Sequence, residues 1–162
     1  MNKICIRHED KYRHERRSPL IPEHVKELIR SKKVNIFVES SEKRIFTDTE
    51  YAEAGATIVK DTKDCNVIMG VKEIPMQHFE PEKTYVFFSH TIKGQPYNMP
   101  MLKRLMDLKC NLIDYERIVN ERDHRMVFFG HYPGLAGMID SLWSLGMRLK
   151  VLGIESPFSK LK

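Results

Sequence analysis

The feature that most constrains this chain is an alternation of period. Short apolar runs of the kind that make strands are separated by segments whose apolar residues recur every three or four positions. "KICIRH" (3–8), "VNIFVES" (34–40), "TIVK" (57–60), "NVIMGVK" (66–72), "KTYVFFSH" (83–90) and "NLIDYE" (111–116) read as strands. "IPEHVKELIRSKK" puts Pro22 at a helix start and spaces Val25, Leu28 and Ile29 along one face. "TDTEYAEAGA" opens on Thr47 or Asp48 as N-cap and stops at Gly55, and "NMPMLKRLMDLK" (98–109) is amphipathic. "RMVFFG" (125–130) reads as a further strand, and "GLAGMIDSLWSLGMRLKVLG" (134–153) as a buried helix. Strands joined by helical crossovers make a doubly wound, mostly parallel α/β sheet with helices on both faces, Rossmann-like or flavodoxin-like in plan.

With 162 residues, 41% of them hydrophobic and 30% charged, the chain is one globular domain's worth. Residues 1–153 read as that domain. The tail "IESPFSKLK" (154–162) reads as a connector, because Ser156-Pro157 interrupts regular structure. No apolar run is long enough to span a bilayer, and "MNKICIRHED" enters a strand without an apolar signal region, so the expectation is a cytoplasmic protein with no membrane partner. Cys5, Cys65 and Cys110 lack metal-ligand spacing and read as free thiols, two of them buried; no metal site is expected. The net charge of +5 is spread along the chain among acidic residues. Its one dense cluster, "RHEDKYRHERR" (7–17), reads as a solvated loop, and no motif points to nucleic acid.

The strand ends carry the chemistry. In doubly wound sheets ligands collect at the carboxyl edge, where loops and helix starts converge. The first strand delivers a loop with Arg13, Glu15, Arg16 and Arg17, and "NVIMGV" delivers Lys72 and Glu73. "TYVFFS" delivers His90 and Lys93, "NLIDYE" delivers Asp114 and Glu116, and "MVFFG" delivers His131 and Tyr132. Any one of these is an ordinary loop residue; several strands ending alike point to a site. A free lysine titrates near 10.4, so acid–base work near pH 7 needs neighbouring cations or burial to destabilise its charge by about 4 kcal/mol. A carboxylate such as Glu15 or Glu116 opposes that, so the fold decides the balance.

"ERRSPLIPEHVKELI", "GVKEIP", "YVFFSHTIKGQPYNM", "LIDYE" and "FFGHYPGLAGMID" together resemble the N-terminal domain of the alanine dehydrogenase and transhydrogenase superfamily. Within it the likeness is nearest to the saccharopine dehydrogenase and lysine-ketoglutarate reductase branch. It runs over nearly the whole chain, in order. It implies the substrate-side domain of a two-domain NAD(P)-dependent oxidoreductase in lysine metabolism, whose partners are an amino acid, a 2-oxo acid and a C-terminal Rossmann domain. On the matching positions it implies Lys72 and His90 as the acid–base pair and Arg17 and Lys93 as receivers of substrate carboxylates. It also implies Glu15 and Glu116 as charge partners of that pair, and Arg125 as a further substrate contact. A homo-oligomer is compatible with the sequence.

One expected element is missing. "GHYPGLAG" puts Gly130, Gly134 and Gly137 at the wrong spacing for a dinucleotide-binding turn, so these glycines read as helix-packing positions. The chain alone is therefore expected to bind no NAD or NADP and to be inactive, as a piece of a longer protein. Two other readings stand beside this one: an alanine dehydrogenase-like enzyme, against which "FFSHTIK" argues, and a non-catalytic module binding amino acids or a protein partner. The residues following Lys162 would discriminate between enzyme and module.

Overall fold

A computed structural model describes residues 3–161. The chain divides into two compact units, one ending at Met126 and one beginning at Val127. The first unit holds strands β1 (Lys3–Ile6), β2 (Asn35–Glu39), β3 (Thr57–Val59), β4 (Val67–Met69), β5 (Thr84–Phe87) and β6 (Asn111–Asp114). It also holds helices α1 (Pro22–Lys32), α2 (Asp48–Glu53) and α3 (Met99–Asp107). All six strands are parallel, in the order β3-β2-β1-β4-β5-β6. The chain winds outward from β1 to one edge, then returns to add β4 on the other side of β1. The switch point lies between β1 and β4, where such folds open a crevice at the carboxyl ends.

Local signals explain the helices. Pro22 opens α1, and Lys33 closes it in the left-handed region (φ 51°), returning its N–H to Ile29 O. Thr47 caps α2 in a reciprocal pair: its Oγ1 accepts the Glu50 N–H, while Glu50 Oε2 accepts the Thr47 N–H at 2.6 Å. Gly55 ends that segment at φ 96°, which a side chain would strain. In α3, Met101 and Leu105 are one turn apart and are the buried pair.

Alternation along the strands divides the core. Cys5, Ile68, Tyr85 and Phe87 pack with Met101 and Leu105 on one face. Ile6, Ile36 and Val38 pack with Val25 and Tyr51 on the other, so helices cover both faces. Truncating the fully buried Phe87 to Ala should cost about 3–5 kcal/mol. The Tyr51 hydroxyl, 2.6 Å from Leu20 O and 2.8 Å from Ser18 Oγ, ties α2 to the loop that follows β1. Cys5 and Cys65 are buried and all three thiols are free, as expected.

One expectation needs correction. "RMVFFG" is not a strand: Arg125 makes one antiparallel bridge to Val119, closed by a turn at Asn120, and regular structure resumes only with helix α4 (His131–Val151). The run is apolar enough for a strand, but no neighbouring strand offers it a ladder. His131 and Tyr132 therefore start a helix in the second unit. Inside its unit helix α4 packs on the Pro157–Lys160 turn, where a Cβ at Gly146 would meet the backbone of Phe158 and Ser159. Among the described residues no helix is long and apolar enough to cross a membrane.

Candidate functional site

Parallel strands bring the ends of β1, β4, β5 and β6 to one sheet edge, and the charged residues there fall into two clusters. The first lies at the switch point. After β1, Glu15 accepts a two-pronged contact from Arg17, Nε to Oε1 at 2.7 Å and Nη2 to Oε2 at 2.5 Å. Those bonds hold the Glu15 carboxyl below its ordinary range against partial burial, and the Lys72 charge adds to the effect. Lys72, three residues beyond β4, carries its Nζ over the Tyr12 ring at 5.8 Å; Lys11 lies over the same ring at 5.3 Å and pairs with Glu73 at 2.7 Å.

The second cluster joins β5 to β6. Glu116, 7% exposed, receives an imidazole and two cationic side chains: His90 Nδ1 at 3.1 Å, Lys93 Nζ at 3.4 Å and Arg125 Nη1 at 3.4 Å. Burial works to raise the Glu116 carboxyl, but the hydrogen bond and charge of His90, with Lys93 behind them, outweigh it and hold the group low. Lys93 Nζ also lies 3.5 Å from His90 Nδ1. Lys93 and Arg125 are about half exposed, so an arriving anion can reach them.

Local structure fixes this geometry. The ladder stops at Phe87, and His90 turns into the left-handed region (φ 55°, ψ 15°), an uncommon conformation for a side-chain-bearing residue, just before the Thr91–Lys93 turn. Ser89 is fully buried and donates its hydroxyl to Asp114, while accepting the Thr91 N–H at 3.2 Å. Asp114 accepts the Glu116 N–H at 2.8 Å. This belt fixes the end of β5 to the end of β6 and sets His90 opposite Glu116.

The structure thus brings His90, Lys93, Glu116 and Arg125 together in one cluster, and Glu15, Arg17 and Lys72 in the other. Loop 7–17 is not simply solvated: Arg7, Glu9 and Glu15 in it are buried. Sequence reasoning passed over Glu9, whose carboxylate accepts the Val71 N–H at 2.6 Å and the Lys72 N–H at 3.0 Å. It also passed over Tyr12, Ser89 and Tyr115. The Tyr115 hydroxyl is buried with no hydrogen-bond partner, and burial together with the Glu9 charge pushes its pKa up. Glu9 was hidden by its surroundings, an acidic residue inside a run that reads as basic surface.

A parallel α/β domain of 3-2-1-4-5-6 order with titratable clusters along its carboxyl edge is the class these observations define. The chain belongs to the alanine dehydrogenase/PNT N-terminal domain family, whose model matches residues 5–136. It is 40% identical over 158 residues to the mitochondrial alpha-aminoadipic semialdehyde synthase of Rattus norvegicus, covering 98% of this chain and 17% of that protein. It is 34% identical over 162 residues to the saccharopine dehydrogenase (NAD(+), L-lysine-forming) of Neurospora crassa, covering 94% of this chain and 43% of that one. The chain therefore spans less than half the length of these relatives. Among solved structures, an L-alanine dehydrogenase shares the fold with a TM-score of 0.62 at 21% identity, over 75% of this chain and 34% of that one. A transhydrogenase from Sinorhizobium meliloti does so at 0.60 and 19%, over 74% and 36%.

Proposed function

We propose that this chain is the substrate-binding and acid–base half of an NAD(P)-dependent oxidoreductase of the saccharopine dehydrogenase/lysine-ketoglutarate reductase type, acting at a carbon–nitrogen bond in lysine metabolism. The observation that carries the reading is the pair of ionic clusters, Lys72 with Glu15 and Arg17, and His90 with Glu116, Lys93 and Arg125, on one carboxyl edge. The saccharopine dehydrogenase at 34% identity is named as L-lysine-forming, whereas the alanine dehydrogenase likeness at 21% speaks for the fold alone. That difference favours the lysine-type substrate over alanine.

An amino acid joined to a 2-oxo acid carries at least two carboxylates. Arg17, Lys93 and Arg125, all about half exposed, are the cations available to receive them. Joining amine to oxo acid expels water, so one group must deliver a proton to the departing oxygen and another must take one from nitrogen. Lys72 and His90 are suited to these two transfers, with Glu15 and Glu116 setting their charge surroundings. The chain's own residues do not fit a dinucleotide: Gly134 and Gly137 lie inside α4 and form no turn between strand and helix. The nicotinamide cofactor belongs to another part of the whole protein, and this chain alone is inactive.

The test is Lys72→Met in the full-length protein. It should lower kcat by about 10²-fold or more, the scale of losing a positioned acid or base, with KM moving much less. Near-normal kcat across the pH range would remove Lys72 from the mechanism and reduce this edge to a binding surface.

A further inference from the structure

We infer that Glu9 is a positioning residue for Lys72, holding the backbone from which the lysine reaches the reaction; the inference rests on the acid–base reading above. Glu9 sits in the loop after β1, and its two carboxylate oxygens accept the N–H groups of successive residues in the loop after β4, Val71 at 2.6 Å and Lys72 at 3.0 Å. It therefore spans the switch point, the one place in a 3-2-1-4-5-6 sheet where neighbouring strands diverge into separate crossovers. Among the described residues no backbone–backbone hydrogen bond joins those two loops past Arg7 N–H to Met69 O. The Glu9 carboxylate, with the Lys11–Glu73 ion pair farther out, takes the place of a ladder.

Three observations separate this arrangement from a chance contact. Glu9 is 5% exposed, an expensive place for a carboxylate unless both oxygens are used. Gly70, immediately before the two donors, leaves room for it: a Cβ there would stand 3.3 Å from Glu9 Oε1. The same carboxylate lies within the electrostatic reach of Arg17, Glu15 and Tyr115, so it connects the lysine's backbone to the groups around the lysine's side chain. Glu9 touches no reacting atom. Its effect passes through the position of Lys72, where a displacement on the order of 1 Å can cost about 10²-fold in rate.

Glu9→Gln keeps the size and one acceptor oxygen but turns an N–H group toward one of the two backbone donors. In the full-length protein it should lower kcat by about tenfold or more, with substrate KM values within about threefold of wild type and a melting temperature close to it. A variant that merely loosened the fold would move melting temperature and KM together, which would overturn a positioning role. Should Glu9→Gln fail to fold, Gly70→Ala carries the test, since its methyl would stand 3.3 Å from Glu9 Oε1 and press on the carboxylate while leaving its charge in place. A several-fold loss of kcat at unchanged KM then supports the inference, and wild-type kcat overturns it. Lys72→Met measured alongside separates the two levels of the argument. If Lys72→Met is severely impaired while Glu9→Gln turns over normally, Glu9 alone loses its role. If Lys72→Met is itself normal, the acid–base reading falls and this inference with it.

Discussion

The two halves of the carboxyl edge mix acidic and basic side chains in different proportions. At the switch point two carboxylates, Glu9 and Glu15, share their surroundings with two cations, Arg17 and Lys72. Between β5 and β6 one carboxylate, Glu116, receives His90, Lys93 and Arg125. The first half is nearly balanced and tightly tied to backbone. The second carries a cationic surplus on half-exposed side chains. Balance suits a lysine that must be held in place, whereas surplus suits a surface that must attract carboxylates. Under the proposed function, this difference would put a lysine held in place for proton transfer in the first half, and His90 beside the cations that capture substrate in the second.

The largest effect that could break this comparison is on KM. Lys93→Ala and Arg125→Ala together should raise KM for a dicarboxylate substrate by about 10- to 100-fold, the scale of losing charge-assisted hydrogen bonds, with kcat changing less. Arg17→Ala should raise KM by a smaller factor, because that guanidinium is already engaged by Glu15. Steady-state kinetics on the three variants would show it. An Arg17 effect exceeding that of the Lys93/Arg125 pair would reverse the assignment.

A smaller effect, on stability, sharpens it. Glu116 and Glu15 have folded-state pKa values below their ordinary ones. Each therefore contributes stability that is present above the ordinary value, about 4.5 for glutamate, and is lost as pH falls through the lower folded value. Glu9 is shifted upward, burial dominating over its two N–H bonds, so its contribution has the opposite sign: favourable at low pH and lost as pH rises through the folded value. Glu116→Gln should accordingly flatten the fall of Tm below pH 5, while Glu9→Gln should steepen it. Calorimetry at stepped pH would read both slopes.

The strand–helix alternation made the sheet legible because strands and helices each carry a distinct apolar period, and the caps at Pro22 and Thr47 mark their helices by local chemistry alone. Lys72, His90 and Glu116 were visible as polar residues ending apolar runs. Glu9 was not, because its bond to the Val71 N–H spans 62 residues and no local pattern encodes it. The left-handed turn at His90 and the Ser89–Asp114 belt were hidden for the same reason. "RMVFFG" misled in the other direction: an apolar run becomes a strand only when a neighbouring edge accepts it.

The central claim is that the lysine of one half and the histidine of the other act as one acid–base unit. The most direct measurement is kcat for Lys72→Met, His90→Gln and the double variant in the full-length protein at a single pH. If the two groups serve one proton-transfer sequence, the double variant should fall little below the worse single variant, far short of the product of the two losses. Losses that multiply would show two independent contributions and contradict the account.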